Sequence, residues 1–137
     1  MKTILFINLS QEQIIDEFRS FMRDIKRKPL LNFQILTGCL LDRFNENISV
    51  QIIDNSVLKK NDKFLIELIL AEDPLLIGLY VNESLKDDVV RFVKLIRDKD
   101  KKFNIIVGGP GWTHYEFFLK NGIDAVCLGE GDVFIVD

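Results

Sequence analysis

Apolar residues in this chain fall into short blocks of two kinds. Residues 3–8 (Thr-Ile-Leu-Phe-Ile-Asn), 75–81, 103–107 and 125–128 are nearly continuous apolar runs, and residues 48–53 alternate apolar with polar. Continuous runs of this length predict strands buried on both faces, and alternation predicts a strand at or near a sheet edge. Between them the apolar positions take helical spacing. Ser10 with Gln13 reads as a capping box ahead of the stripe Ile14, Phe18, Met22 and Ile25, which Pro29 ends near Lys28. A second helix is predicted over 30–46 from Phe33, Leu36, Leu40, Leu41 and Phe44, with Gly38 inside it permitting close packing. Phe64, Leu65, Leu68 and Ile69 mark a third, stopped at Asp73-Pro74. Ser84 with Asp87 caps a fourth, whose stripe is Leu85, Val89, Phe92, Val93 and Ile96. Residues 112–121 form a short helix closed by Gly122.

Strand and helix alternate throughout, so the strands are joined by crossovers and lie parallel, with helices on both faces. The predicted fold is a doubly wound α/β sheet of five parallel strands in the flavodoxin-like order 2-1-3-4-5. With 137 residues, 47% hydrophobic and eleven Phe, the chain fits one domain with a substantial core. It stops soon after the fifth strand, at Asp132-Val-Phe-Ile-Val-Asp137, and we expect a piece of a longer protein.

Charge narrows the function. Eighteen basic and 21 acidic residues give a net charge of −3, which supplies no footprint for nucleic acid. The basic clusters at 23–28 and 99–102 suit the negative ends of helices. No apolar stretch is long enough for a membrane span or a secretory leader. Cys39 and Cys127 fall among apolar neighbours, read as buried thiols, and point to a reducing cytoplasm.

In such sheets ligands bind beyond the carboxyl ends of the strands, here nearest the first and third. The segments that reach this edge are Asn8-Leu9-Ser10, Tyr80-Val81-Asn82-Glu83, Gly108-Gly109-Pro110-Gly111 and Gly129-Glu130-Gly131. The glycines admit two readings. They expose backbone N–H groups to a flat or phosphorylated ligand, aided by the helix that starts near Trp112, or they only allow tight strand-to-helix turns. There is no phosphate loop of the Gly-x-x-x-x-Gly-Lys-Ser/Thr type, and Gly129-Glu130-Gly131 is no dinucleotide fingerprint. The acidic pocket of a phosphoryl receiver is also missing. The single histidine, His114, leaves no His-based metal site or triad, and reads first as an exposed helical residue. Trp112 and Tyr115 beside it either stack on a ligand or cover the sheet end.

Several of these motifs together resemble a known family. Pro74-Leu-Leu-Ile-Gly78-Leu, then Lys94-Leu-Ile-Arg97, then Ile105-Ile-Val-Gly108-Gly109-Pro110 with Thr113, and Gly122-Ile-Asp124-Ala-Val-Cys-Leu-Gly129-Glu130-Gly131-Asp132 follow one pattern. It is similar to that of the cobalamin-binding domain at the front of cobalamin-dependent radical S-adenosylmethionine enzymes. Ile4-Leu-Phe-Ile-Asn8 and Ile52-Ile53-Asp54 resemble the ends of that family's first two strands. The resemblance implies a domain that holds cobalamin, with the corrin over the carboxyl edge and the nucleotide tail beside the sheet. Asn8, Ser10, Tyr80 and Asn82 would face the ligand. Gly108 and Gly109 would give room for the tail, Pro110 and Gly111 would bind the cofactor beside them, and Gly129, Glu130 and Gly131 would lie against its base or phosphate. It further implies a catalytic domain, in cis or in trans, that carries the iron–sulfur cluster and S-adenosylmethionine. The three-cysteine cluster motif is absent from this chain.

Two departures stand out. Asn8-Leu9-Ser10-Gln11-Glu12-Gln13 occupies the place of the Asp-x-His-x-x-Gly found in methionine-synthase-type domains, so the implied cobalamin has no histidine below cobalt. Tyr80 stands where the family often has a small Ser. The alternative is therefore a degenerate, non-catalytic interaction or scaffold domain that no longer binds cobalamin. A third reading, a flavin or nucleotide binder, lacks the Ser/Thr-rich phosphate loop after the first strand.

Overall fold

A computed structural model describes residues 1–9, 31–100 and 102–137. The helix expected from Ser10 to Lys28, with its capping box, its stripe and Pro29, lies outside the described residues.

The first strand, β1 (Lys2–Asn8), sits at the centre of the fold because its side chains are apolar on both sides. Leu5 and Ile7 point to one face and Ile4 and Phe6 to the other, all four buried. It pairs in parallel with β2 (Ile48–Asp54) on one side and β3 (Leu76–Tyr80) on the other. β4 (Ile105–Gly108) and β5 (Ala125–Val126) complete a five-stranded sheet of order β2-β1-β3-β4-β5. The predicted strand order is the one observed.

Helices cover both faces. Leu5, Ile7, Ile77, Leu79, Ile105 and Val107 form the larger core with α3 (Asp62–Glu72), α4 (Lys86–Lys99) and Phe118 of α5 (Tyr115–Lys120). On the other face Ile4, Phe6 and Ile48 meet Phe33 and Leu40 of α1 (Leu31–Phe44). The α4 stripe is buried throughout, as its spacing predicts.

Several local expectations change. Helix α1 stops at Phe44 because Asn45 takes a left-handed backbone, φ 49°, and opens a 3-10 turn. Its contact line runs through Phe33, Leu36 and Leu40, which leaves Leu41 and Phe44 exposed. Among the described residues, an added Cβ at Gly38 would meet no atom within 4 Å. In α3 the buried positions are Leu65, Ile66 and Ile69, while Phe64 faces out. The cap of the α4 region is Asn82, not Ser84. Asn82 Oδ1 accepts the Leu85 N–H at 2.9 Å and the Ser84 hydroxyl at 2.8 Å. A 3-10 turn, Glu83–Leu85, thus precedes the helix. Another 3-10 turn, Pro110–His114, replaces the first residues of the predicted 112–121 helix. Gly122 does close α5, with φ 86°.

Two short helices lie outside the sequence expectations, α2 (Asn55–Leu58) and α6 (Gly131–Phe134). The fifth strand is shorter than its apolar run. Cys127 still donates to Val107 O at 2.8 Å, and the chain then turns away at Gly129, φ 96°. Among the described residues no helix is long and apolar enough to cross a membrane.

Candidate functional site

Alternate residues of a strand face the same side of a sheet, so Gly78 and Tyr80 of β3 share a face with Ile106 and Gly108 of β4. In the register Gly78 pairs with Ile106, and Tyr80 pairs with Gly108. The glycines leave this floor without side chains at two of its four positions, and a cavity of about 520 Å³ opens over it. That volume is in the range of small-molecule sites, roughly 300–1,000 Å³. Phe33 and Leu36 of α1 line it together with Gly131, Phe134 and Ile135, which lie beside Leu36. Pro110, Trp112, Glu130 and Asp132 complete the lining.

The turn after β4 is sewn to the end of β3. Val81 N–H donates to Gly108 O at 2.8 Å, and Gly111 N–H donates to Val81 O at 3.0 Å. Gly109 takes φ 120°, and a Cβ there would sit 2.5 Å from Val81 O. A Cβ on Gly111 would lie 3.1 Å from Asn82 C, and one on Gly131 would lie 3.1 Å from Leu36 Cδ2. These three glycines answer to the packing of the chain itself. Gly108 and Gly129 differ. At Gly108 the nearest contact of an added Cβ is Cys127 Cβ at 3.4 Å, and at Gly129 nothing lies within 4 Å. The two readings of the glycines thus divide by position, with ordinary contact at Gly108 and, among the described residues, open space at Gly129.

An aromatic cluster bounds the cavity. Phe6 stacks on Phe33 with centroids 5.0 Å apart, and Phe33 meets Tyr80 edge-on at 6.5 Å and 88°. The Phe6 ring covers Gly78, where a Cβ would fall 2.5 Å from its Cδ1. Cys127 closes the bottom beside β5. Its Sγ lies 3.6 Å from both Gly129 O and Glu130 O. Burial, then the charges of Asp132 and Glu130, push this thiol above its ordinary range, so it stays a neutral donor to those carbonyls. Cys39, expected to be buried, is only half-buried. Among the described lining residues the charged side chains are Glu130 and Asp132. They give this part of the cavity a negative potential that disfavours a phosphate dianion.

Of the residues singled out in the sequence, Tyr80, Gly108, Gly109, Pro110, Gly129, Glu130 and Gly131 come together here. Asn8, Asn82 and Gly111 are not among the described lining residues, and Ser10 lies outside the described residues. Asn8 Nδ2 instead donates to Asp54 Oδ1 at 3.1 Å. Its buried Oδ1 has no partner among the described residues. Among the described residues the cavity lies over β3 and β4, with Phe6 of β1 and Cys127 after β5 also in its lining. His114 does not line it either. Its Nε2 pairs with Glu83 Oε2, joining the turn after β4 to the turn after β3. That partner holds the Glu83 carboxyl below its ordinary range. Phe6, Phe33, Gly78, Cys127 and Asp132 also shape the site without having been singled out. Gly78 carried a usable signal, since glycine inside an apolar strand marks a close approach. Among the described residues no cluster of three or more His, Cys, Asp or Glu is placed to hold a metal ion.

No family model and no curated protein sequence matches the chain. Among solved structures it is similar to the cobalamin-dependent S-adenosylmethionine radical enzyme OxsB with aqua-cobalamin bound. The TM-score is 0.70 at 23% identity, over 96% of this chain and 17% of that one. The apo, selenomethionine-labelled form of the same enzyme gives a TM-score of 0.62 at 22% identity, over the same shares. The chain thus spans 17% of the length of these neighbours, and at this identity the likeness establishes a shared α/β fold.

Proposed function

We propose that this chain is a cobalamin-binding module that serves a radical S-adenosylmethionine catalytic domain, in cis or in trans. The observation that carries the reading is the cavity over β3 and β4, bounded by the turns that follow β4 and β5. The fold likeness to a cobalamin-dependent radical enzyme supports it.

The residues present fit the nucleotide tail of the cofactor. Gly129 has open space around it among the described residues, and at Gly108 a Cβ would reach only ordinary contact with Cys127. Phe33, Tyr80 and Trp112 offer aromatic surface to a flat base. The acidic side chains Glu130 and Asp132 oppose a dianionic phosphate such as that of a flavin mononucleotide. They oppose the single phosphodiester charge of cobalamin less, and its cobalt corrin is cationic in the aqua form. Bound here, the cofactor would supply a cobalt centre that carries a methyl group or takes part in radical chemistry. The chain's own residues bind and orient it. With His114 paired to Glu83 and absent from the described lining, the reading includes no histidine below cobalt. Iron–sulfur cluster and S-adenosylmethionine belong to the catalytic domain.

Mixing the purified protein with hydroxocobalamin and desalting tests this. We expect a retained corrin spectrum, together with slower alkylation of Cys127 and unchanged alkylation of Cys39. Loss of all corrin on desalting overturns the reading. That outcome would favour a non-catalytic scaffold domain, a second reading motivated by the Tyr80 ring packed against Gly109 within the cavity.

A further inference from the structure

Two parts of the chain hold Tyr80 in place. Its ring meets Phe33 edge-on, and Phe33 is itself stacked on Phe6. On the other side, the space a Gly109 Cβ would take is filled by the Tyr80 ring, with Cε2 at 2.9 Å and Cδ2 at 3.0 Å. Along the floor of the cavity its register partner in β4, Gly108, brings no side chain, while the space over Gly78, two residues back in the strand, is taken by the Phe6 ring. The Tyr80 ring thus ends the Phe6–Phe33 aromatic cluster beside Gly108, held by Phe33 and by the Gly109 turn. A ring so braced loses little freedom when a second ring packs on it, which is what makes an aromatic wall selective.

From this we infer that Tyr80 is the specificity-determining residue of the cavity, a rigid wall that favours a flat aromatic base over no base at all. The inference rests on the reading proposed above and adds to it a residue and a preference. A corrinoid with its nucleotide base gains the packing against Tyr80, and one without the nucleotide does not. The corrin contributes equally in both.

The test compares hydroxocobalamin with cobinamide, which has the same corrin but no nucleotide, by titration against the wild-type chain and three variants. We expect the wild type to prefer cobalamin, and Tyr80→Phe to keep that preference. Tyr80→Ser and Tyr80→Leu should each reduce it roughly fivefold, the worth of one aromatic pair, with cobinamide affinity unchanged. Tyr80→Leu keeps most of the volume and remains informative if the serine variant folds poorly. A preference that Tyr80→Leu leaves unchanged, or raises, overturns the inference while the module reading stands. If the wild type binds neither corrinoid, both fail together.

Discussion

At the residue scale the glycines separate by what surrounds them, although in the sequence they look alike. Gly109 combines φ 120° with a carbonyl oxygen 2.5 Å from where a Cβ would be. Gly109→Ala therefore meets both backbone strain and a clash with a strand end that is hydrogen-bonded in place. We expect a loss of about 2–3 kcal/mol, read as a lower urea midpoint. Gly38 offers the contrast, since an alanine there, in the middle of α1, would meet nothing within 4 Å among the described residues. Gly38→Ala should raise the midpoint, by about 0.5–1 kcal/mol. The motif Gly-Gly-Pro-Gly was visible in the sequence, but which of its glycines faces space was not. That depends on Tyr80, Val81 and Asn82, which reach the same turn from another strand.

At the scale of elements, one side chain ties together three of them. Arg97, in the last turn of α4, donates from Nη1 to Phe103 O at 2.6 Å and from Nε and Nη2 to Gly122 O at 3.0 and 2.8 Å. Its Nη2 also meets Asp124 Oδ2 at 2.8 Å, and the same oxygen accepts the Ile105 N–H at 2.8 Å. The helix is thereby pinned to the starts of β4 and β5. The Arg97 side chain is only 18% exposed, and its loss leaves the partly buried Phe103 carbonyl without this donor. Arg97→Ala should cost about 2–3 kcal/mol by chemical denaturation, and Arg97→Lys should recover only part, because an ammonium lacks the planar fork.

The Glu83–His114 pair joins the opposite ends of the same strands, and Lys86 lies 3.8 Å from the second Glu83 oxygen. The His114 hydrogen bond is the main cause that lowers the Glu83 carboxyl from its ordinary 4.5. A carboxyl lowered on folding contributes stability above that value, and the contribution fades as pH falls through the folded one. Glu83→Gln should therefore differ from wild type in melting temperature near pH 6 and converge with it as pH drops below 4.5.

For the molecule as a whole, the sheet was legible because buried parallel strands write themselves as apolar runs. The crossovers between them dictate the rest of the topology. The helix caps were less legible. Ser84 and Asn82 both suit a cap, and only the 3-10 turn at Glu83–Leu85 decides for Asn82. The site was half legible: its glycine turns stood out, yet the cavity also needs α6 and the Phe6–Phe33 stack. Those contacts join residues far apart in the chain, which no local pattern reports.

The two ends of the sheet are built on different terms. At the amino ends Arg97, Asp124 and the Asn104 side chain, which donates to Leu75 O at 2.9 Å, lock neighbouring elements to one another. At the carboxyl ends the loops enclose a cavity. Variation is therefore not equally costly at the two poles. Exchanges at open positions around the cavity, such as Gly129, can retune what the molecule holds while the riveted pole and the tightly packed Gly109 turn preserve the sheet, so affinity and foldability can evolve as nearly separate traits.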